Sequence, residues 1–230
     1  MSLSIGIMGI SGSGKSSSIR THDPETTVYI DCDGKGLSWR GWKDQYNKKK
    51  GNYFKTNFPQ MVERILYWLD GKEHNDNGDL VEAKNKDGLK YKIVVVDTIN
   101  ALMIAEEQRK IKTKGYDKWE DLANAIWNLL DLALTLRDDL IVVFIAHTET
   151  VSDDNGIVET RIQTSGKKLR KIVPESKINT VLLAEIDDEG NHVFVASRPN
   201  TTAKEGFIDA FPDKIMPNDL KAVVDALREF

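Results

Sequence analysis

Gly9-Ile10-Ser11-Gly12-Ser13-Gly14-Lys15-Ser16 fits the pattern G-x-x-x-x-G-K-[ST], the spacing at which a chain can wrap its own backbone around a string of phosphates. The glycines let the loop curl until successive N–H groups point inward at phosphate oxygens. Behind the loop, Ser16-Ser17-Ser18-Ile19-Arg20 can start a helix whose positive N-terminal end adds to the same spot. Lys15 would reach the β and γ phosphates, and the Ser16 hydroxyl would bind Mg²⁺. The predicted nucleotide set is therefore Gly9, Ile10, Ser11, Gly12, Ser13, Gly14, Lys15, Ser16 and Ser17. A flexible Gly/Ser turn shares the composition but not the position between an apolar strand, Leu3 to Met8, and a helix start.

Three further positions could act on a phosphate chain. Asp97 follows Ile93-Val94-Val95-Val96, four apolar residues and then a carboxylate, the pattern of a Walker B strand. It would hold Mg²⁺ together with Ser16, although an aspartate there could equally cap a helix starting at Thr98. Asp33 ends Val28-Tyr29-Ile30-Asp31-Cys32-Asp33, where a carboxylate can face the terminal phosphate and align the attacking water. Strand alternation turns Asp31 to the same side, so either could serve, and a turn role before Gly34 and Gly36 is the plainer account of Asp33. His147 and Thr148 follow the apolar run Leu140 to Ala146, at the strand end that faces the ligand in an open α/β sheet. A side chain there can bond the γ-phosphate and report its loss to neighbouring loops.

The elements that must position these groups alternate along the chain. Strand-like runs at Leu3 to Met8, Thr27 to Asp31, Ile93 to Asp97, Leu140 to Ala146, Asn179 to Glu185 and His192 to Ser197 predict an α/β fold with a mostly parallel central sheet. The continuously apolar runs at 93–96 and 141–145 belong in its centre. Helical periodicity at Pro59 to Leu69, Thr98 to Ile111 and Trp119 to Leu136 supplies flanking helices, and a last helix runs from Asn218, its cap, to Phe230. Glu185 to Asn191 joins two strand runs with turn chemistry, predicting a C-terminal antiparallel hairpin. Residues Gly71 to Tyr91 read as a surface excursion with a hairpin turn at Asn85-Lys86-Asp87-Gly88, and Thr148 to Thr164 as a loop or hairpin over the site. One domain over 1–230 is expected, long enough to bury its own core.

In order and spacing, Gly9 to Ser16, Ile30-Asp31-Cys32-Asp33, Ile93 to Asp97 and Ile141 to His147 resemble the RecA-like ATPase core, an AAA/ASCE-type P-loop NTPase. They look most like phage-encoded, core-only members that accompany single-strand annealing recombination. The tail is similar as well: Ser197-Arg198-Pro199, Gly206-Phe207, Phe211-Pro212 and Pro217-Asn218-Asp219-Leu220. The resemblance implies Mg-dependent ATP hydrolysis, single-stranded DNA or a phage annealing or replication protein as partner, and a homo-oligomer in which one subunit donates a cation to its neighbour's γ-phosphate. Arg198 and Lys204 lie in the segment that resembles RecA's lysine-bearing one, with Lys167, Lys168 and Arg170 as rivals. RecA-like enzymes usually carry glutamate where this chain has Asp33, and the shorter side chain implies slow turnover. A P-loop kinase of a nucleoside or small metabolite and a nucleotide-gated binding module are the alternatives.

Trp39, Arg40, Trp42, Lys43, Tyr46, Lys48, Lys49, Lys50 and Tyr53 interleave aromatics with cations, which suits single-stranded DNA, while Trp39 and Trp42 could instead pack against the second strand. A net charge of -4 and a pI near 5.7 exclude a globally basic coat, so any DNA contact is local. The single Cys32 allows no internal disulfide and no cysteine zinc site, as suits a reducing cytoplasm. The longest apolar run falls far short of the ~20 residues of a membrane span.

Overall fold

The computed structural model describes residues 2–110, 117–152, 156, 158–164 and 173–230. Segments rich in β-branched residues build one large sheet. Its strands are β1 (Leu3–Gly9), β2 (Thr27–Asp31), β3 (Tyr53–Lys55), β6 (Ile93–Asp97), β7 (Ile141–Ser152), β8 (Val158–Ile162), β9 (Thr180–Ile186), β10 (His192–Val195) and β11 (Ile215–Pro217). A separate two-stranded ribbon pairs β4 (Lys72–His74) with β5 (Leu80–Glu82). The spatial order of the large sheet is β11-β10-β9-β1-β7-β6-β2-β3, with β8 added to the outer half of β7. From β9 to β3 neighbours run parallel, and β9, β10 and β11 are antiparallel. The expected mixed α/β architecture, mostly parallel with a C-terminal antiparallel hairpin, is what the chain forms.

Because side chains alternate across a strand, the sheet has two cores. Val94, Val96, Val142 and Phe144 face the helices α2 (Pro59–Leu69), α3 (Ile99–Arg109) and α4 (Asp117–Thr135), which follow the short α1 (Trp42–Gln45). Ile5, Ile7, Tyr29, Val95, Val143 and Ile145 face the other layer, closed by Ile19, Tyr46 and the terminal helix α5 (Leu220–Leu227). No helix among the described residues is long and apolar enough to cross a membrane.

Several expectations are corrected. After the phosphate-type loop comes a six-residue 3-10 helix, Ser16–Thr21, not an α-helix. The hydroxyls of Ser17 and Ser18 bond back to the Gly14 and Lys15 carbonyls at 3.0 and 2.7 Å, competing with the α-helical ladder. The helix at Thr98 starts one residue later, with Thr98 as its cap, and Ile111 lies outside the described residues. The terminal helix is capped by Asp219, which accepts from Lys221 N–H at 2.9 Å, because Asn218 lies in the bend before it and donates its N–H to the His192 carbonyl at 3.2 Å. In the excursion the ribbon turns at Asn75 to Asp79, where Asn75 N–H meets the Asp79 carbonyl at 2.9 Å. Residues Asp87–Lys90 are a 3-10 turn instead of the expected hairpin turn, with Gly88 lying against the Trp68 carbonyl. Thr148 to Ile162 does form a hairpin, paired from Thr148↔Ile162 to Ser152↔Val158.

The seam between the 3-10 helix and α5 carries a pH-dependent weakness. His22 is 7% exposed there, and its Nε2 has no hydrogen-bond partner among the described residues. Burial pushes its pKa down to about 4 against the opposing charges of Asp219 and Asp225. An unfolded histidine titrates near 6.5, so below that pH the unfolded chain binds the extra proton. The stability contributed by the neutral ring is therefore complete above about pH 6.5 and lost as pH falls toward about 4, by up to about 3 kcal/mol. Urea unfolding at pH 7 and pH 4.5 should show wild type losing more stability than His22→Gln; equal losses in both would exclude His22 as the cause.

Candidate functional site

The phosphate-type loop leaves β1 and turns back under the C-terminal edge of the sheet. Gly12 and Gly14 take φ of +83° and +92°. At Gly14 space also forbids a side chain, since a Cβ would stand 2.9 Å from His192 Nδ1 and 3.2 Å from Asn218 Oδ1. Lys15, 6% exposed, folds back over the loop and donates to the carbonyls of Gly9 at 2.8 Å and Ile10 at 2.6 Å. Burial pushes its pKa down to about 8, with Asp97 opposing. A desolvated ammonium of this kind gains most from a polyanion placed beside it.

Asp97 reaches the loop across an intervening strand, for β7 lies between β1 and β6. Its carboxylate, 4% exposed, accepts from the Ser16 hydroxyl and from Tyr29 OH, the latter at 2.6 Å. Burial raises its pKa, and the two hydrogen bonds hold part of that rise back. Ser16 and Asp97 together offer a hydroxyl and a carboxylate, the hard oxygen donors Mg²⁺ prefers. Among the described residues no group of three or more His, Cys, Asp or Glu gathers as a metal cage.

Asp31, the last residue of β2, and Asp33 beyond it have different surroundings. Asp31, 1% exposed, accepts from Gly34 N–H at 2.7 Å, Gly36 N–H at 2.9 Å and Tyr53 OH at 2.5 Å. The turn role expected of Asp33 is shared: Asp33 Oδ1 accepts from Lys35 N–H at 3.2 Å, while Asp31 holds the N–H groups of both glycines. Asp33 also lines the pocket, paired with Lys35 Nζ at 2.7 Å. Burial raises its pKa, but hydrogen bonds and charge from Lys35 outweigh that and leave it below the usual carboxylate range.

His147 stands in the middle of β7, which runs on past the strand end expected after Ala146 to pair with β8, and is level with Gly9 at the end of β1. Asn100 at the start of α3 fixes its backbone: Asn100 Oδ1 accepts from His147 N–H at 2.7 Å, and Asn100 Nδ2 donates to the Gln163 carbonyl at 2.7 Å. Burial and then the charges of Lys15 and Lys35 push the ring's pKa down, so it is neutral at pH 7.

These groups converge on a cavity of about 450 Å³, walled by the loop around Gly12 to Ser17, by Asp33 to Ser38, and by Asp97, His147 and His192. Larger clefts of about 750 and 760 Å³ lie between α2 and the β4–β5 ribbon and at the opposite edge of the sheet, away from the glycine loop. Chemistry, not size, selects the smaller one. Arg198 is outside it, held bidentately by Glu185 at 2.6 and 2.5 Å, and Lys204 bridges to Val181 on β9. Lys167, Lys168 and Arg170 lie outside the described residues. Beyond His147, no described residue of the β7–β8 hairpin adds to the cavity wall.

Sequence reasoning passed over Tyr29, Lys35 and His192 at this site, and read Tyr53 only as part of the aromatic and basic segment. Tyr29 and Tyr53 stack at 6.1 Å and place their hydroxyls on Asp97 and Asp31, a pairing visible only once β3 lies beside β2. For the aromatic and basic segment, packing prevails. Trp39 donates to Gln45 at 2.8 Å and edges Tyr46, and Trp42 tilts onto Tyr53 at 5.4 Å. Lys48, Lys49 and Lys50 stay exposed.

Comparison with known families finds one match: the family model described as AAA domain covers residues 1–205. Among curated proteins no match is found.

Proposed function

This chain belongs to the AAA domain family, and from that premise we propose that it binds Mg·ATP around Lys15 and hydrolyses it slowly, as a RecA-like ATPase serving phage DNA recombination or replication. The observation that carries the reading is the convergence of the glycine loop, the Ser16–Asp97 contact and Asp33 on one cavity. Bound Mg·ATP supplies the phosphoryl group and neutralises part of its charge. Lys15 would exchange the Gly9 and Ile10 carbonyls for phosphate oxygens, and Ser16 and Asp97 would hold the ion. Asp33, ionised at neutral pH, would accept a hydrogen bond from the attacking water and take its proton as the water oxygen bonds to the γ-phosphorus and the bond from that phosphorus to the bridging oxygen breaks, releasing ADP. The neutral ring of His147 would sense the γ-phosphate and pass its presence through Asn100 to the β7–β8 hairpin.

Labelled ATP tests this directly. Mg-dependent release of free phosphate is expected. A phosphorylated acceptor would mark a kinase, and tight binding without release a nucleotide-gated module.

The DNA half rests on Lys48, Lys49 and Lys50, which project from the turn after α1. ATP-bound protein should bind single-stranded oligonucleotides with an affinity that falls steeply with salt. Replacing all three lysines with alanine should reduce the log–log salt slope by about 2, at ~0.7 per single-strand phosphate released. No affinity at low salt, with or without ATP, would remove DNA and leave a protein partner.

A further inference from the structure

We propose that Lys35 is a second cation, beside Lys15, that this chain itself brings to the terminal phosphate, alternating between Asp33 and the γ-phosphate as nucleotide comes and goes. The inference rests on the Mg·ATP reading above and adds to it a cation in cis.

The loop that carries Lys35 is built with unusual care for a surface turn. Buried Asp31 ties down the N–H groups on both sides of it, Gly34 and Gly36, and is itself fixed by Tyr53 OH. Lys55 Nζ donates to the Gly34 carbonyl at 3.1 Å. The Trp42 ring presses on Gly36, where a Cβ would stand 2.7 Å away and φ is +75°. The backbone is thus clamped from four directions while the Lys35 side chain stays 75% exposed, its ammonium 2.7 Å from Asp33. A solvated lysine needs no such scaffold.

Among the described residues that line the cavity, Lys15 and Lys35 are the lysines and there is no arginine. Lys15 approaches from the inside of the loop. After burial, the Lys35 charge contributes to lowering the pKa of both Lys15 and His147, which puts it within Coulomb reach of where phosphate would lie. An exposed lysine–carboxylate pair is weak, so its partner is readily exchanged. A γ-phosphate carries more charge than one carboxylate and offers more acceptor oxygens. It would draw Lys35 away and leave Asp33 unmasked beside the phosphorus to be attacked. ADP offers no such oxygen, and the Asp33–Lys35 pair would close again. The same exchange would therefore distinguish triphosphate from diphosphate and switch on the base only when there is something to hydrolyse.

The test uses the full chain and measures affinity for Mg·ADP and for a nonhydrolysable Mg·ATP analogue, together with phosphate release from ATP. Lys35→Ala should keep its affinity for Mg·ADP, lose about tenfold for the analogue, and lose about a hundredfold or more in turnover. Lys35→Arg should recover most of both. Lys86→Ala, which removes a surface lysine paired with Glu82, should match wild type throughout. A Lys35→Ala protein with the wild-type triphosphate-to-diphosphate preference and turnover would show that the pair is a surface contact only. Equal weakening for both nucleotides would make Lys35 a structural residue and overturn the proposal as well. If wild type binds neither nucleotide, the ATP reading falls and this inference with it. If wild type binds both and Lys35→Ala is unaltered, only this inference falls.

Discussion

Lys15→Ala should abolish Mg·ATP binding, by about a thousandfold or more in affinity, while the chain remains folded. The ammonium is buried at the inner curve of the loop, with its charge destabilised enough that its pKa sits at about 8. A phosphate chain would restore what burial removes, and no neighbouring cation can substitute from that depth. Stability should fall by an amount the fold can absorb. The loss strands the Gly9 and Ile10 carbonyls, a cost of about 1–3 kcal/mol, and leaves both hydrophobic layers untouched. Calorimetric titration with Mg·ATP beside a thermal melt separates the two effects. Asp97→Asn should fail differently, keeping nucleotide but losing Mg-dependent turnover, because its amide can still accept from Ser16 and Tyr29 yet carries no charge for the ion. Equal ATP affinity in Lys15→Ala and wild type would end the phosphate-loop assignment.

The parts of this site that depend on near neighbours in the chain were readable, and those that depend on distant ones were not. Ile93–Asp97 and the inner half of β7 announce themselves because a strand covered on both faces must be apolar at every position. The three-residue strands β3 and β11 carry no period long enough to see. The segment after the glycine loop has α-helical composition by position, yet three consecutive serines offer local hydroxyl bonds that tighten it to 3-10 geometry. Asp31 and Asp33 are indistinguishable by alternation alone. They separate only when Tyr53, 22 residues on, reaches Asp31. Trp42 reads as a stacking platform until Tyr53 and Gly36 occupy its faces. His192 and Asn218 meet Gly14 from the far end of the chain, a contact that no local pattern encodes.

Asp33→Asn should retain ATP affinity, or gain slightly, and lose hydrolysis by about a hundredfold or more. The sign of the binding change follows from charge: the variant removes a carboxylate from the cavity and leaves Lys35 unpaired, so less negative charge opposes the triphosphate. The loss of turnover follows from proton chemistry, since an amide cannot take the proton that water gives up as it attacks. Asp33→Glu should restore or raise the rate. The clamp that Asp31, Tyr53 and Lys55 place on this loop fixes where the backbone stands, so one added methylene extends the carboxylate toward the phosphate without moving its support. Phosphate release under saturating Mg·ATP, with affinity measured separately, reads both variants. Full activity in Asp33→Asn would take the base role from this position. It would not hand it to Asp31, whose carboxylate is already shared among two backbone N–H groups and a tyrosine hydroxyl. A third outcome, loss of hydrolysis in both Asp33→Asn and Asp33→Glu, would mean that the shorter side chain is matched to its water as it stands, and that slow turnover has its origin elsewhere in the site.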